Sequence, residues 1–316
     1  MTSSLGPRIG RRIGGRAATF LLAAALLLPA AASGQARAWG EGADEVKSVG
    51  QYAEVNGIRL YYETAGAGRP LILLHGGLGA IEMFGRNLPA LAKGRQVIAV
   101  DLQGHGRTAD IDRPLSVELM ADDIAALIAH LKLDRPDVMG YSLGAGVALQ
   151  TAIRHPAQVG RLVVVSAILR RSAFYPGILT LQEQVNAAAA EGMKQTPMYQ
   201  LYSSIAPRPE DFPRLLDKIG AAMKQDYDYS GEIGKIRATT LVVAADADIF
   251  PPSHAVELFG LLGGGKQDPG WDGAGRPKSR LAILPGLTHY DIFDNPALAE
   301  TAIRFLDDPA TLEAPR

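Results

Sequence analysis

Five residues near mid-chain constrain this sequence most: Gly140-Tyr141-Ser142-Leu143-Gly144, a G-x-S-x-G pattern. It follows the apolar run Asp137–Met139 and opens the helical pattern Leu143–Arg154. A serine there is expected on a sharp, strained strand-to-helix turn that projects its hydroxyl from a sheet edge. The neighbours must be tiny because the chain passes close to itself. The helix that starts there points its first N–H groups at the hydroxyl, which favours negative charge developing beside it.

A serine hydroxyl is a poor nucleophile until a base takes its proton. Of six histidines, His289 is best placed, in Leu284-Pro285-Gly286-Leu287-Thr288-His289 just beyond the last strand-like run. His105 and His254 compete with it; His130 and His155 fall on helical patterns. A third group, a carboxylate, is expected to orient the imidazole and stabilise its cation. Ala245-Asp246-Ala247-Asp248 follows the run Thr240–Ala245, and both acids qualify. Asp248 is favoured because it lies further along the loop, before Pro251-Pro252, whereas Asp246 can instead hold the turn. His75-Gly76-Gly77 ends the run Leu71–Leu74. The backbone N–H groups of Gly77 and Leu143 are the expected oxyanion donors, with His75 itself structural.

Asn56-Gly57 between Tyr52–Val55 and Ile58–Thr64 predicts a hairpin. Leu71–Leu74 and Val97–Val100 read as strands buried on both faces, and Asp137–Tyr141, Leu162–Ser166, Thr240–Ala245 and Leu281–Leu284 as further strands. Glu118–Leu133 reads as an amphipathic helix capped by Ser116. Strands alternating with helices predict an α/β fold built on a mostly parallel sheet. The rhythm breaks between Leu169 and Arg237, a stretch rich in aromatics and methionines. The expected organisation is a signal peptide over 1–38, a core over 49–168 and 236–309, and an inserted helical cap over 169–235. Gly263–Ser279, rich in Gly, Pro and Asp, is a long loop. With Trp271 it is a rim of the site, a partner contact or a plain surface excursion.

The N-terminus reads as an address. Arg8, Arg11, Arg12 and Arg16 precede the apolar run Ala17–Ala32, and Ala30-Ala31-Ala32 and Ala36-Arg37-Ala38 offer small-residue cleavage sites. Export to a periplasm or beyond is expected, with an uncleaved membrane anchor as the alternative. The run is short for a bilayer span, so no stable membrane insertion is expected after cleavage. Residues 1–38 hold five arginines and no acid, which hides a mildly acidic remainder behind a net charge of -1. That charge gives no reason to expect nucleic acid as a partner. The chain has no cysteine, which excludes disulfides, a thiolate nucleophile and Cys-ligated metal sites.

The order Ser142, Asp248, His289, with His75-Gly76-Gly77 ahead of it and Pro285-Gly286 before the histidine, resembles the α/β-hydrolase fold superfamily. The resemblance runs from about Tyr52 to Leu306. The chain is similar to the branch of serine esterases, proline iminopeptidase-like enzymes, perhydrolases and C–C hydrolases. Asp101-Leu102-Gln103-Gly104-His105-Gly106-Arg107-Thr108 is similar to that family's D-x-x-G-x-G-x-S turn, which implies a structural role for Asp101 and His105. The resemblance implies a Ser-His-Asp hydrolase acting on a small or medium carboxylic ester, with no metal or organic cofactor. Peptidase, C–C hydrolase or perhydrolase chemistry on the same triad, and a non-catalytic binding protein, stay open. Leu78, Glu82, Met83, Phe84 and Tyr141 are expected to flank the substrate, and Glu183, Glu191, Glu210 and Asp211 are the cap acids that a peptidase would use.

Overall fold

The computed structural model describes residues 46–311, so the segment 1–38 read as a signal peptide lies outside the described residues. Strands β1 (Val49–Val55) and β2 (Ile58–Ala65) form the expected hairpin. Asn56 and Gly57 turn it at φ 48° and 77°, the double positive-φ geometry whose twist matches the flanking strands. Strand β3 (Arg69–Leu74) leads through helix α1 (Asn87–Ala92) to β4 (Arg95–Val100), and α2 (Val117–His130) leads to β5 (Asp137–Tyr141). Then come α3 (Leu143–Arg154) and β6 (Arg161–Val165), followed by a helical excursion of α4 (Pro176–Gln182), α5 (Ala190–Met193), α6 (Pro197–Ile205) and α7 (Phe212–Lys224). The chain returns as β7 (Thr239–Ala247), α8 (Pro252–Leu261), β8 (Arg280–Thr288) and α9 (Pro296–Asp307).

The eight strands form one sheet in the order β1-β2-β4-β3-β5-β6-β7-β8. The β1–β2 and β2–β4 pairs are antiparallel and every later pair is parallel. Alternation along the strands sorts the core. Leu71, Leu73, Val97, Ala99, Met139, Val163 and Val243 pack with Leu88 and Leu91 of α1 and Leu298, Ala302 and Phe305 of α9. Helices α2 and α3 pack against each other, and α3 lies on β5 and β6. Because β3 to β7 are buried on both faces over most of their length, these strands read as continuous apolar runs. Helix caps explain sharp starts: Ser116 Oγ accepts from Leu119 N–H, and Asn295 Oδ1 accepts from Ala297 N–H before Pro296 at the first helical position.

Two boundaries differ from the sequence reading. Strand β8 continues through Pro285-Gly286 to Thr288. It is the edge strand, where a proline's missing N–H leaves no ladder bond unmade on the open side. The loop between α8 and β8 precedes β8, so it lies at the strands' N-terminal end. It is therefore no rim of the site, which forms at the other end.

The excursion between β6 and β7 is helical and is closed at its base by the bridge between Arg170 and Asp228. Lys218 Nζ on α7 donates to the carbonyls of Ile111 and Arg113, each at 2.7 Å, and lies 2.7 Å from Asp110 Oδ2. Arg208 donates to Asp110 O at 3.0 Å. These bonds fasten the excursion to the loop that follows β4.

Candidate active site

Ser142 sits at the C-terminal end of β5, at φ 52° and ψ -114°. That is left-handed backbone for a residue with a side chain, a strained conformation held by its surroundings. The Ser142 N–H donates to Val165 O at 2.9 Å. A Cβ on Gly140 would lie 2.1 Å from Gly144 O, and one on Gly144 would lie 2.3 Å from Leu74 O. Both glycines are thus required by backbone approaching backbone. The expectation of a tight strand-to-helix turn is met in detail.

Sheet register brings the other two groups to this edge. Ala247 pairs with Thr288 across β7 and β8 after a bulge between Ala245 and Ala247. The next residue on each strand is therefore Asp248 and His289. Asp248 Oδ1 accepts from His289 Nδ1–H at 2.7 Å, and the Ser142 hydroxyl donates to His289 Nε2 at 3.1 Å. This assignment puts the single proton of a neutral imidazole on Nδ1, leaving Nε2 with a free lone pair for Ser142.

Asp248 is 7% exposed and fully engaged. Its Oδ1 also accepts from Ile249 N–H at 2.9 Å, and Oδ2 accepts from Ser166 Oγ at 2.6 Å and Ala245 N–H at 3.2 Å. Burial pushes this carboxyl up. Hydrogen bonds to His289, Ser166 and Ile249 and the nearby imidazole charge outweigh burial and hold it below the usual carboxylate range. Asp246 takes the alternative role: it is exposed, and its Oδ2 accepts from Gly286 N–H at 3.0 Å, tying β7 to β8.

The histidines that compete with His289, and His75, are occupied elsewhere. His75 is fully buried, with Nδ1 bonded to Gly76 O at 2.7 Å and Nε2 accepting from Leu102 N–H at 3.0 Å. Burial, with His105 beside it, lowers it to about 3, so it is a neutral strut. His105 Nδ1 bonds Gln103 O, and His254 Nε2 accepts from Leu169 N–H. Asp101 accepts from Ile81 N–H at 2.9 Å and Arg107 N–H at 2.8 Å, clamping the loop that carries Gly76 and Gly77.

Gly77 faces the start of α3: a Cβ on it would lie 3.9 Å from Leu143 Cβ. Among the described residues neither the Gly77 nor the Leu143 N–H donates to another group. Leu143 is the first residue of α3, where an N–H has no intrahelical acceptor. Two donors and a helix N-terminus thus stand beside the Ser142 hydroxyl, an arrangement able to hold an oxyanion.

The flanking residues divide. Phe84 is fully buried in the core cluster. Tyr141 is 3% exposed, and its hydroxyl donates to the His289 carbonyl. Glu82 is ion-paired with Arg107. These three are removed from the substrate-facing set, leaving half-buried Leu78 and Met83. Sequence reasoning missed Ser166 and the Tyr141 hydroxyl, which position Asp248 and His289. Ser166 carried no signal beyond its place at the end of an apolar strand.

A family model described as the alpha/beta hydrolase fold matches residues 69–192. The chain is 30% identical over 234 residues to the dihydrolipoyllysine-residue acetyltransferase component of the acetoin cleaving system of Pseudomonas putida, covering 68% of this chain and 62% of that protein. It is 35% identical over 123 residues to the 2-hydroxymuconate semialdehyde hydrolase of Pseudomonas sp. strain CF600, covering 38% of this chain and 44% of that enzyme. The chain therefore spans less than two thirds of the length of either relative. The solved structure of a carboxylesterase from Bacillus subtilis superposes with a TM-score of 0.63 at 18% identity, covering 83% of this chain and 92% of that one. At that identity the likeness is one of fold. The sheet order, the strand-to-helix turn at Ser142 and these likenesses agree: the chain has the α/β-hydrolase fold.

Proposed function

We propose that this protein is a serine hydrolase that cleaves a small or medium carboxylic ester through an acyl-enzyme intermediate. The observation that carries the reading is the unbroken relay from Ser142 Oγ through His289 to Asp248, 3.1 Å and 2.7 Å long. His289 Nε2 takes the Ser142 proton as Oγ attacks the ester carbonyl. The N–H groups of Gly77 and Leu143 hold the oxyanion, an interaction for which loss of one donor typically costs ~10²–10³ in rate. Asp248 stays ionised and stabilises the imidazolium. His289 then gives its proton to the leaving alcohol as the C–O bond breaks. Water, deprotonated by His289, attacks the acyl carbonyl, and collapse of that adduct releases the carboxylic acid and restores the Ser142 hydroxyl. None of these steps calls on a cofactor.

A second reading, hydrolysis of a C–C bond beside a carbonyl, is favoured by the likeness to the semialdehyde hydrolase and uses the same three residues. A peptidase that grips a substrate ammonium has less support. Glu183, Glu191 and Asp211 are each ion-paired, with Arg171, Lys194 and Arg208, and Glu210 is exposed. Export to a periplasm or beyond belongs to the same proposal, supported by the arginines and apolar run of residues 8–32; cell fractionation tests it.

The deciding experiment pairs fluorophosphonate labelling with a panel of p-nitrophenyl esters, a prolyl amide and a vinylogous diketone. Labelling of Ser142 and turnover of short esters, both lost in Ser142→Ala, are expected. Ester turnover surviving in that variant would overturn the proposal.

A further inference from the structure

The loop between α8 and β8 takes no part in the site, yet it is built with care. It is held by its own turns: Gly273 N–H donates to Gly270 O, Gly275 N–H to Pro269 O and Arg276 N–H to Gly273 O, at 3.1, 2.9 and 3.0 Å. They present Trp271 at the tip, with a relative exposure of 110%. A large indole wholly in water, on a preformed turn, is not accounted for by packing.

Cations outnumber acids around it. Lys266, Arg276 and Lys278 are exposed, and no salt bridge holds any of them among the described residues. The acids of the same loop, Asp268 and Asp272, are exposed as well, and each caps a turn: Asp268 Oδ1 accepts from Gly270 N–H and Asp272 Oδ1 from Ala274 N–H, so the loop carries three cations against two acids. Lys266, Gln267 and Arg276 line a cleft of about 340 Å³ with the backbone of Gly263, Ala274 and Gly275. Exposed Lys132, before β5, and Arg237, before β7, continue the positive edge along the same end of the sheet. Helices also end here, and their C-termini favour cations. That accounts for Lys132, which follows α2, but not for the three cations of the loop.

An exposed indole beside unpaired cations is the chemistry that recognises a lipid headgroup layer. Indole rings settle at the headgroup level, and Lys and Arg are drawn to anionic lipid. We propose that this end of the protein docks on an anionic lipid surface, with Trp271 entering the headgroup layer and the Lys266–Arg276 cleft taking a lipid phosphate. Docked this way, the edge that carries Ser142 faces away from the lipid and stays open to dissolved substrates. The inference does not depend on which bond Ser142 cleaves.

The test uses the full chain with Trp39→Phe, so that Trp271 alone fluoresces. Vesicles of equal parts phosphatidylcholine and phosphatidylglycerol are compared with pure phosphatidylcholine. Expected are a blue shift of Trp271 emission and its quenching by brominated acyl chains on the anionic vesicles. Reversing Lys266, Arg276 and Lys278 to Glu should lower partitioning by about tenfold or more, and Trp271→Ala should lower it several-fold, with solution turnover unchanged in both. Any binding by residues 1–45 is common to all variants, so the differences report the loop. Equal partitioning of the parent and charge-reversed proteins would overturn the proposal. So would a Trp271 response to inorganic phosphate, a polynucleotide or a protein with none to vesicles.

Discussion

Asp248→Asn is the perturbation that separates charge from geometry in the proposed relay. Asparagine keeps the shape but replaces one acceptor oxygen with a donor. Facing its NH₂ toward His289 would leave Ile249 N–H without an acceptor and force the imidazole proton onto Nε2, where it cannot accept from Ser142. Facing the NH₂ toward Ser166 costs less. The Ser166 hydroxyl, now 2.6 Å from Oδ2, can rotate from donating to accepting, and only Ala245 N–H at 3.2 Å is orphaned. The structure therefore predicts that the variant keeps the productive tautomer and loses the negative charge alone.

The magnitude follows. A carboxylate and an imidazolium with charge centres about 4 Å apart attract by about 4 kcal/mol at an effective dielectric near 20. Losing that in the transition state lowers kcat by about 10³. A triad aspartate replaced so that the tautomer flips typically costs ~10⁴. The orphaned Ala245 N–H costs about 1–3 kcal/mol of stability. The assay is kcat on a short p-nitrophenyl ester and the rate of fluorophosphonate labelling, with ¹⁵N NMR of His289 to read the tautomer and calorimetry to confirm folding. A folded variant within about tenfold of the parent kcat would refute the role of Asp248. An Nε2–H tautomer would refute the argument from Ser166. Asp246→Asn is the control: with only its bond to Gly286 N–H at stake, activity should change by about twofold at most.

Other perturbations test neighbouring parts of the same reasoning. Gly144→Ala puts a Cβ 2.3 Å from Leu74 O and 2.5 Å from His75 O, and overpacking against fixed backbone should cost about 3 kcal/mol or more, read as lost soluble yield or a lowered Tm. Asp101 is raised to about 7, first by burial and then by the Glu82 charge. Its folded value lies above the unfolded one, so its contribution is full below the ordinary carboxylate range and lost as pH rises through about 7. Tm should therefore decline from pH 5 to 8, with a flatter slope in Asp101→Asn. Asp248 has the opposite sign: held below its ordinary value, it contributes fully above the usual carboxylate range and loses that contribution as pH falls. Acid unfolding monitored by circular dichroism should accordingly be shallower in Asp248→Asn. Lys218→Ala removes three bonds that fasten α7 to the loop after β4, and hydrogen exchange across residues 212–224 should speed up several-fold.

What the sequence could disclose depended on how local each determinant is. Ser142 was legible because strand, turn and helix are consecutive and the glycines around it answer to steric demands within a few residues. His289 was legible because a histidine just past the last strand of a parallel sheet can only emerge at the strands' C-terminal edge. The choice between Asp246 and Asp248 was legible only as a preference for Asp248. It rests on the bulge between Ala245 and Ala247 and on Ala247 pairing with Thr288, a register between segments some forty residues apart. Strand β8 was read too short because Pro285-Gly286 looks like a break until the strand is known to be an edge. Ser166 went unseen because its φ of 53° and its bond to Asp248 exist only once β6 and β7 are side by side. The Trp271 loop is the instructive miss. Its position before the last strand already placed it at the N-terminal end of the sheet, away from any serine at a strand's C-terminus. Connectivity alone thus separates two ends with different duties: one where strained turns expose reactive groups, the other where turns hold an indole and unpaired cations in water. Mutations at either end should leave the other's readout untouched, since a layer of fully buried strand residues separates the two and close packing resists graded shifts across it.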